Sequence, residues 1–224
     1  MKLHRCMAIL VVMAVLHVCV LPAQQTGSGA TPPIAVKVLV QSPADTQTDL
    51  QIFCLFRSAP ENALHGALTE MDDKLHGLLT QLRSPQLFGG ELGETLLLTP
   101  PAATLAAKRV LIIGLGDSAS FTPDRMYLVG KIAYRESARL GMAHPFFAPT
   151  ILDGGVSKFS TGDVAEQVVR GFRDAQAAEV LLAQKKAASP RVVLDLTFLA
   201  GARHAADTRS GIDRALGQAS PSQP

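Results

Sequence analysis

The apolar positions of the chain fall into two rhythms. Ile34, Val36, Val38 and Val40 alternate with Ala35, Lys37 and Leu39, the period of a half-buried strand, and predict a first strand over residues 34–40. Residues 50–56, Leu-Gln-Ile-Phe-Cys-Leu-Phe, predict a second. The polar turn at 45–49 between them places the two as neighbours in one sheet. A short strand follows at 94–98, after Gly89, Gly90 and Gly93 and before Pro100-Pro101. Residues 108–113 carry Val110 to Ile113 without a polar interruption, the signature of a strand buried on both faces. An extended segment at 146–152 and a buried strand at 191–198 complete the set.

Between the strands the spacing lengthens. Leu64, Leu68, Met71, Leu75, Leu78, Leu79 and Leu82 recur at helical intervals and predict one helix over 62–83, stopped by Ser84-Pro85. Thr122-Pro123-Asp124 opens a second helix, with Thr122 as cap, Met126, Val129, Ala133, Glu136 and Leu140 along one side and Gly141 as its end. Ser160 with Asp163 forms a capping-box pattern ahead of a third helix that runs to Lys186, with Val164, Val168, Phe172 and Ala175 on one face. Residues 201–216 predict a weak helix. Strands interleaved with helices give an α/β class with a mixed, largely parallel sheet between helices.

Composition sharpens the boundaries. At 224 residues and 47% hydrophobic, the chain can bury one sizeable core. Residues 1–23 have the form of a secretory signal: Lys2 and Arg5, an apolar run from Met7 to Leu21 broken by His17, and Leu21-Pro22-Ala23 as a cleavage site. Residues 24–33 read as a flexible lead-in, 34–200 as the domain, and 201–224 as the weak helix and a disordered tail. The expected location is secreted or periplasmic, with no membrane attachment after cleavage.

Losing Lys2 and Arg5 would take the 21 basic residues to 19, against 19 acidic. A near-neutral chain without a concentrated basic surface argues against nucleic acid. Of three cysteines, only Cys54 lies beyond the signal, inside an apolar strand, where a buried structural thiol is expected. His65 and His76 lie too far apart along their helix to act as a metal pair and are expected in solvent or half buried.

Two glycine loops are the candidate chemistry. Gly114, Gly116, Asp117 and Ser118 follow the buried strand; Asp153, Gly154 and Gly155 follow the extended segment and precede a helix. At the carboxyl ends of strands, such loops can offer free N–H groups to a small phosphate-containing ligand. The first is a poor dinucleotide fingerprint, because Ala119 stands where a third glycine belongs and Glu136 falls inside a helix.

Leu87-Phe-Gly-Gly-Glu-Leu-Gly-Glu-Thr95, then Lys108-Arg-Val-Leu-Ile-Ile-Gly-Leu-Gly-Asp117, then the helix with Ala133 and Ala138, resembles the amino-terminal domain of the leucyl aminopeptidase (M17) family over roughly residues 34–200. The resemblance implies a macro-domain-like, three-layer α/β/α fold. That family's two-metal chemistry lies in a separate carboxy-terminal domain whose signatures do not occur in these residues. Val129-Gly130-Lys131 matches a family word only superficially, being followed by Ile132-Ala-Tyr-Arg-Glu136. The resemblance therefore implies no catalytic residue, metal or cofactor in this chain. Together with the signal-like residues 1–23, it implies an exported, stand-alone, non-catalytic domain acting in binding or assembly, through a protein partner or self-association. Two other readings stand beside it: macro-domain-like binding or processing of a nucleotide or ADP-ribose, and a regulatory partner of a separately encoded aminopeptidase.

Overall fold

The computed structural model describes residues 34–59, 63–83, 87–189 and 193–217. The signal and lead-in at 1–33, the Ser84-Pro85 stop and the tail from residue 218 lie outside the described residues. The elements are β1 (Ala35–Leu39), β2 (Gln51–Leu55), α1 (Gly66–Lys74), α2 (Leu78–Leu82), β3 (Thr95–Leu98), β4 (Val110–Gly114), α3 (Arg125–Arg139), β5 (Phe146–Ala148), α4 (Thr161–Gln184), β6 (Asp195–Leu199), a 3-10 turn (Ala202–His204) and α5 (Ala205–Leu216). None of the helices among the described residues is long and apolar enough to cross a membrane.

Six strands form one sheet in the order β1-β6-β5-β2-β4-β3, parallel throughout except for the antiparallel β3–β4 pair. β2 and β4 are buried at every position, as their uninterrupted apolar runs require. Their side chains alternate between two cores. Ile52, Cys54, Leu111 and Ile113 face α3, α4 and α5, whereas Phe53, Leu55, Val110 and Ile112 face α1 and α2. The result is the three-layer α/β/α sandwich that the alternation of elements predicts. Cys54 is fully buried, and burial pushes its thiol well above the ordinary range, so it serves as core filler.

β1 and β2 are not neighbours, contrary to the expectation from their short connection. They run parallel, and a turn-sized link cannot return the chain to pair two parallel strands side by side. Residues 40–50 instead cross the α1 face of the sheet, burying Ala44, Thr46 and Thr48, and β6 and β5 occupy the places between.

The helix expected over 62–83 is two helices. His76 and Gly77 both take positive φ (56° and 79°), and the Asp72 carboxylate accepts from the N–H groups of Leu79 (2.7 Å) and Thr80 (3.1 Å), capping α2. The apolar stripe continues across the break because both helices lie on the same core. His65 and His76 are exposed.

α3 starts at Arg125 rather than at Pro123, so Thr122 is not its cap; residues 122–124 form a preceding turn, and Asp124 at the N-cap makes no side-chain cap bond. Its buried face is Met126, Val129, Gly130, Ala133, Tyr134, Ser137 and Ala138, with Glu136 only half buried beside it. α4 begins where its capping residue predicts: Ser160 Oγ accepts from the N–H groups of Gly162 (3.0 Å) and Asp163 (3.2 Å).

Close backbone approach, alongside the packed side chains, joins these helices. A Cβ on Gly171 of α4 would overlap the Tyr127 carbonyl of α3, and one on Gly130 would overlap the Val168 carbonyl. Gly130 of the Val-Gly-Lys word is thus a packing residue. α5 repeats the device, Gly211 lying against the Gly162 carbonyl. With Ala205, Thr208 and Ile212 buried, α5 is a full member of the core layer rather than a weak appendage.

Candidate functional site

A cavity of about 610 Å³ opens where β1, β5 and β6 end, at their carboxyl edge. Crevices outside the carboxyl ends of parallel strands are where ligands of open α/β sheets bind, and this volume falls within the ~300–1,000 Å³ typical of small-molecule pockets. Its apolar wall comes from Ile151, Val156, Phe159, Val164 and Phe198. Glu70 of α1, Asp153, and Arg203 and His204 of the 3-10 turn supply its charged lining, with His204 close enough to Asp153 to favour its ionised form.

Among the expected site residues, Asp153 lines this cavity. Its Oδ1 accepts from the Ala67 N–H (3.1 Å) and its carbonyl from the His65 N–H (2.9 Å), so it holds the start of α1 against the sheet. Burial raises its carboxyl pKa above the usual aspartate value, partly offset by the Ala67 N–H and by His65 and His204 nearby. Gly154 and Gly155 lie behind it. The Gly154 N–H turns to Thr150 O (3.0 Å), the Gly155 N–H to Leu152 O (3.0 Å) and the Val156 N–H to Ile151 O (3.1 Å), while a Cβ on Gly154 would press on the Phe56 ring.

Gly114, Gly116, Asp117 and Ser118 are not in the cavity wall. This loop is laced to residues 90–94: Gly114 N–H donates to Glu94 O (2.8 Å), Gly93 N–H to Gly114 O (3.0 Å) and Gly116 N–H to Gly90 O (2.8 Å). Asp117 Oδ1 accepts from the Ala119 N–H, and the Asp117 carbonyl from Arg125 (3.1 Å). A row of edge-to-face rings, Phe56–Phe121 at 5.3 Å and Phe121–Phe159 at 5.7 Å, runs from the Gly154 loop past the end of the first loop. The two glycine loops therefore meet on a packed aromatic row, not on a shared open crevice. Gly114 is required because a Cβ there would overlap the Glu91 carbonyl. Gly114→Ala is expected to cost about 1 kcal/mol as the 90–94 loop is pushed away; a chemical-denaturation midpoint equal to that of the parent would count against this role.

The first turn of α4 is likewise occupied. Asp207 of α5 accepts from the Gly162 N–H, Ser160 Oγ and Thr161 Oγ1, each at 2.9 Å. Burial alone would raise its pKa, but these three bonds and Arg214 outweigh that and hold it below the ordinary aspartate value. Arg214 in turn pairs with Glu166 (2.7 Å) and Asp163 (3.0 Å) of α4. Thr161, Thr208, Ser42 and Glu70 were not singled out from the sequence; they come from four separate segments, and only the position of strand ends marks them. Among the described residues no three His, Cys, Asp or Glu side chains converge as a metal site.

The N-terminal domain of the cytosol aminopeptidase family matches residues 52–177, from β2 into α4. A probable cytosol aminopeptidase of Trichormus variabilis is 27% identical over 104 residues, 44% of this chain and 21% of that protein. A solved tomato leucine aminopeptidase superposes with a TM-score of 0.58 at 18% identity, over 84% of this chain and 37% of that one. A Trypanosoma brucei macrodomain in complex with ADP-ribose superposes with a TM-score of 0.56 at 12% identity, over 79% of this chain and 68% of that one. The chain thus spans well under half the length of both aminopeptidases, and its fold is the one these domains share with macrodomains. By the span of the match from β2 into α4, the chain belongs to the cytosol aminopeptidase family, through that family's N-terminal domain.

Proposed function

We propose that this chain is an exported binding domain that does not itself carry peptidase chemistry, its ligand seated in the cavity at the carboxyl ends of β1, β5 and β6. The observation that supports this reading is the cavity itself: an apolar wall carrying both acidic and basic groups, at the edge where open α/β sheets receive ligands. Export rests on the form of residues 1–23.

Ala200→Trp, which would fill the cavity from the end of β6, is the test. Ligand-induced thermal shifts of the parent chain that disappear in this variant are the expected result. Metal-dependent hydrolysis of leucine amide by the purified chain would overturn the non-catalytic part, and retention in the cytoplasm on cell fractionation the exported part.

A second reading, nucleotide or ADP-ribose binding, draws on the macrodomain solved with ADP-ribose. Against it, the N–H groups of Gly114, Gly116, Gly154, Gly155 and Gly162 already have acceptors within the chain. Calorimetry with ADP-ribose separates the two; saturable heat would favour this second reading. Assembly with a separately encoded aminopeptidase is open to co-purification.

A further inference from the structure

The charges at the cavity come from separate elements. Glu70 and Asp153 belong to the α1 side of the sheet, where Leu68 and Met71 of α1 pack on Phe53 and Leu55. Arg203 and His204 belong to the turn that leads into α5, where His204 comes close enough to Asp153 to favour its ionised form. The strand ends lie between, and the floor there is Ile151, Val156, Val164 and Phe198. Arg203 is exposed and makes no ion pair or hydrogen bond among the described residues. Glu70 is already oriented by Ser42 Oγ (2.7 Å), and Asp153 is fixed by the Ala67 N–H and kept partly out of water. A partly desolvated carboxyl favours a cation placed beside it, whereas an exposed guanidinium favours a carboxylate.

The usual place for an anion in such a crevice, the N-terminus of the following helix, is filled from within the chain. Asp207 sits across the first turn of α4 with three donors directed at it. A phosphate there would meet a resident carboxylate instead of free N–H groups.

We propose that the cavity takes a small amphipathic zwitterion of the amino-acid or short-peptide type in preference to inorganic phosphate, its ammonium at Glu70 and Asp153, its apolar body on the floor and its carboxylate at Arg203. This deepens the proposed binding role and rests on it.

The test is a set of titrations of the full chain, followed by amide chemical shifts, with L-phenylalanine, its N-acetyl derivative, its carboxamide and inorganic phosphate. L-Phenylalanine is expected to bind, with either blocking group weakening it roughly fivefold or more. Arg203→Ala should weaken phenylalanine but not its carboxamide; Asp153→Asn should weaken phenylalanine but not the N-acetyl form. Because Asp153 also anchors α1, the exposed Arg203 is the variant that decides if Asp153→Asn misfolds. Phosphate binding tighter than phenylalanine, or equal affinity of all three aromatic probes, overturns the proposal. Equal affinities that Ala200→Trp abolishes leave the cavity as the binding site and remove only the zwitterion. No shifts from any probe, or shifts that survive Ala200→Trp, remove the binding site as well.

Discussion

Gly171→Ala is expected to destabilise the fold by about 2–3 kcal/mol, although in an exposed helix interior the same change stabilises by about 1 kcal/mol. The reversal comes from geometry. Gly171 faces the Tyr127 carbonyl across the α3–α4 contact, and the obstacle is backbone, which cannot rotate aside as a side chain would. To admit one methyl group the helices must separate. That loosens the reciprocal contact of Gly130 with the Val168 carbonyl and the edge-to-face pair of Tyr134 and Phe172 at 5.1 Å. For a chain of this size the midpoint of thermal unfolding should fall by roughly 4–12 °C. Circular dichroism on heating measures it, and a midpoint unchanged or raised would show that the contact is not tight.

Asp207→Ala is the second large effect, about 2 kcal/mol at neutral pH, since three donors lose a charged acceptor and the start of α4 loses its complementary charge. The pH dependence carries a sign. The folded pKa of Asp207 lies below its ordinary value of 3.8, so its contribution is complete above that value and is lost as pH falls through 3.8 and then through the folded pKa. Asp207→Asn, which keeps an acceptor but not the charge, should cost about 1 kcal/mol near pH 7 and approach the parent as pH falls through the folded pKa of Asp207. Urea unfolding at several pH values gives the comparison. A gap that widens on acidification would contradict the assigned role. Asp153 has the opposite sense: its raised pKa means that ionisation is disfavoured in the folded chain, so any stability linked to it is greatest at low pH and falls as pH rises through the folded value.

Asp207 is one of three places where N–H groups that could face a phosphate are engaged within the chain. In this chain the loop at Gly114–Ser118 is spent on residues 90–94, the Gly154–Gly155 turn on its own carbonyls, and the α4 terminus on Asp207. Gly114 and Gly154 are there for close approach, and Gly116 and Gly155 for a positive φ (74° and 88°). A glycine required by a neighbouring carbonyl and a glycine required by a phosphate look the same in one sequence, because both only need the Cβ to be missing.

Much of the frame was legible from residues alone. The apolar runs of β2 and β4 could only be central strands, Ser160 marked the start of α4 to the residue, and the order of elements pointed to the α/β/α class and to the family. These features are local: they depend on residue types within a few positions of one another, and burial or capping follows directly. The break at His76–Gly77 was hidden because both halves of the helix face one core and the apolar spacing runs on through it.

The tertiary structure alone decided the rest. Strand order depended on which strand β1 could reach as a parallel partner, and that is β6, the last in the chain. Asp207 acts on a helix start 45 to 47 residues earlier, with no local pattern to announce it. The cavity is assembled from the ends of β1, β5 and β6, the start of α1 and the turn before α5. Secondary structure is written in neighbouring residues, whereas a site built from strand ends exists only once the sheet has chosen its order.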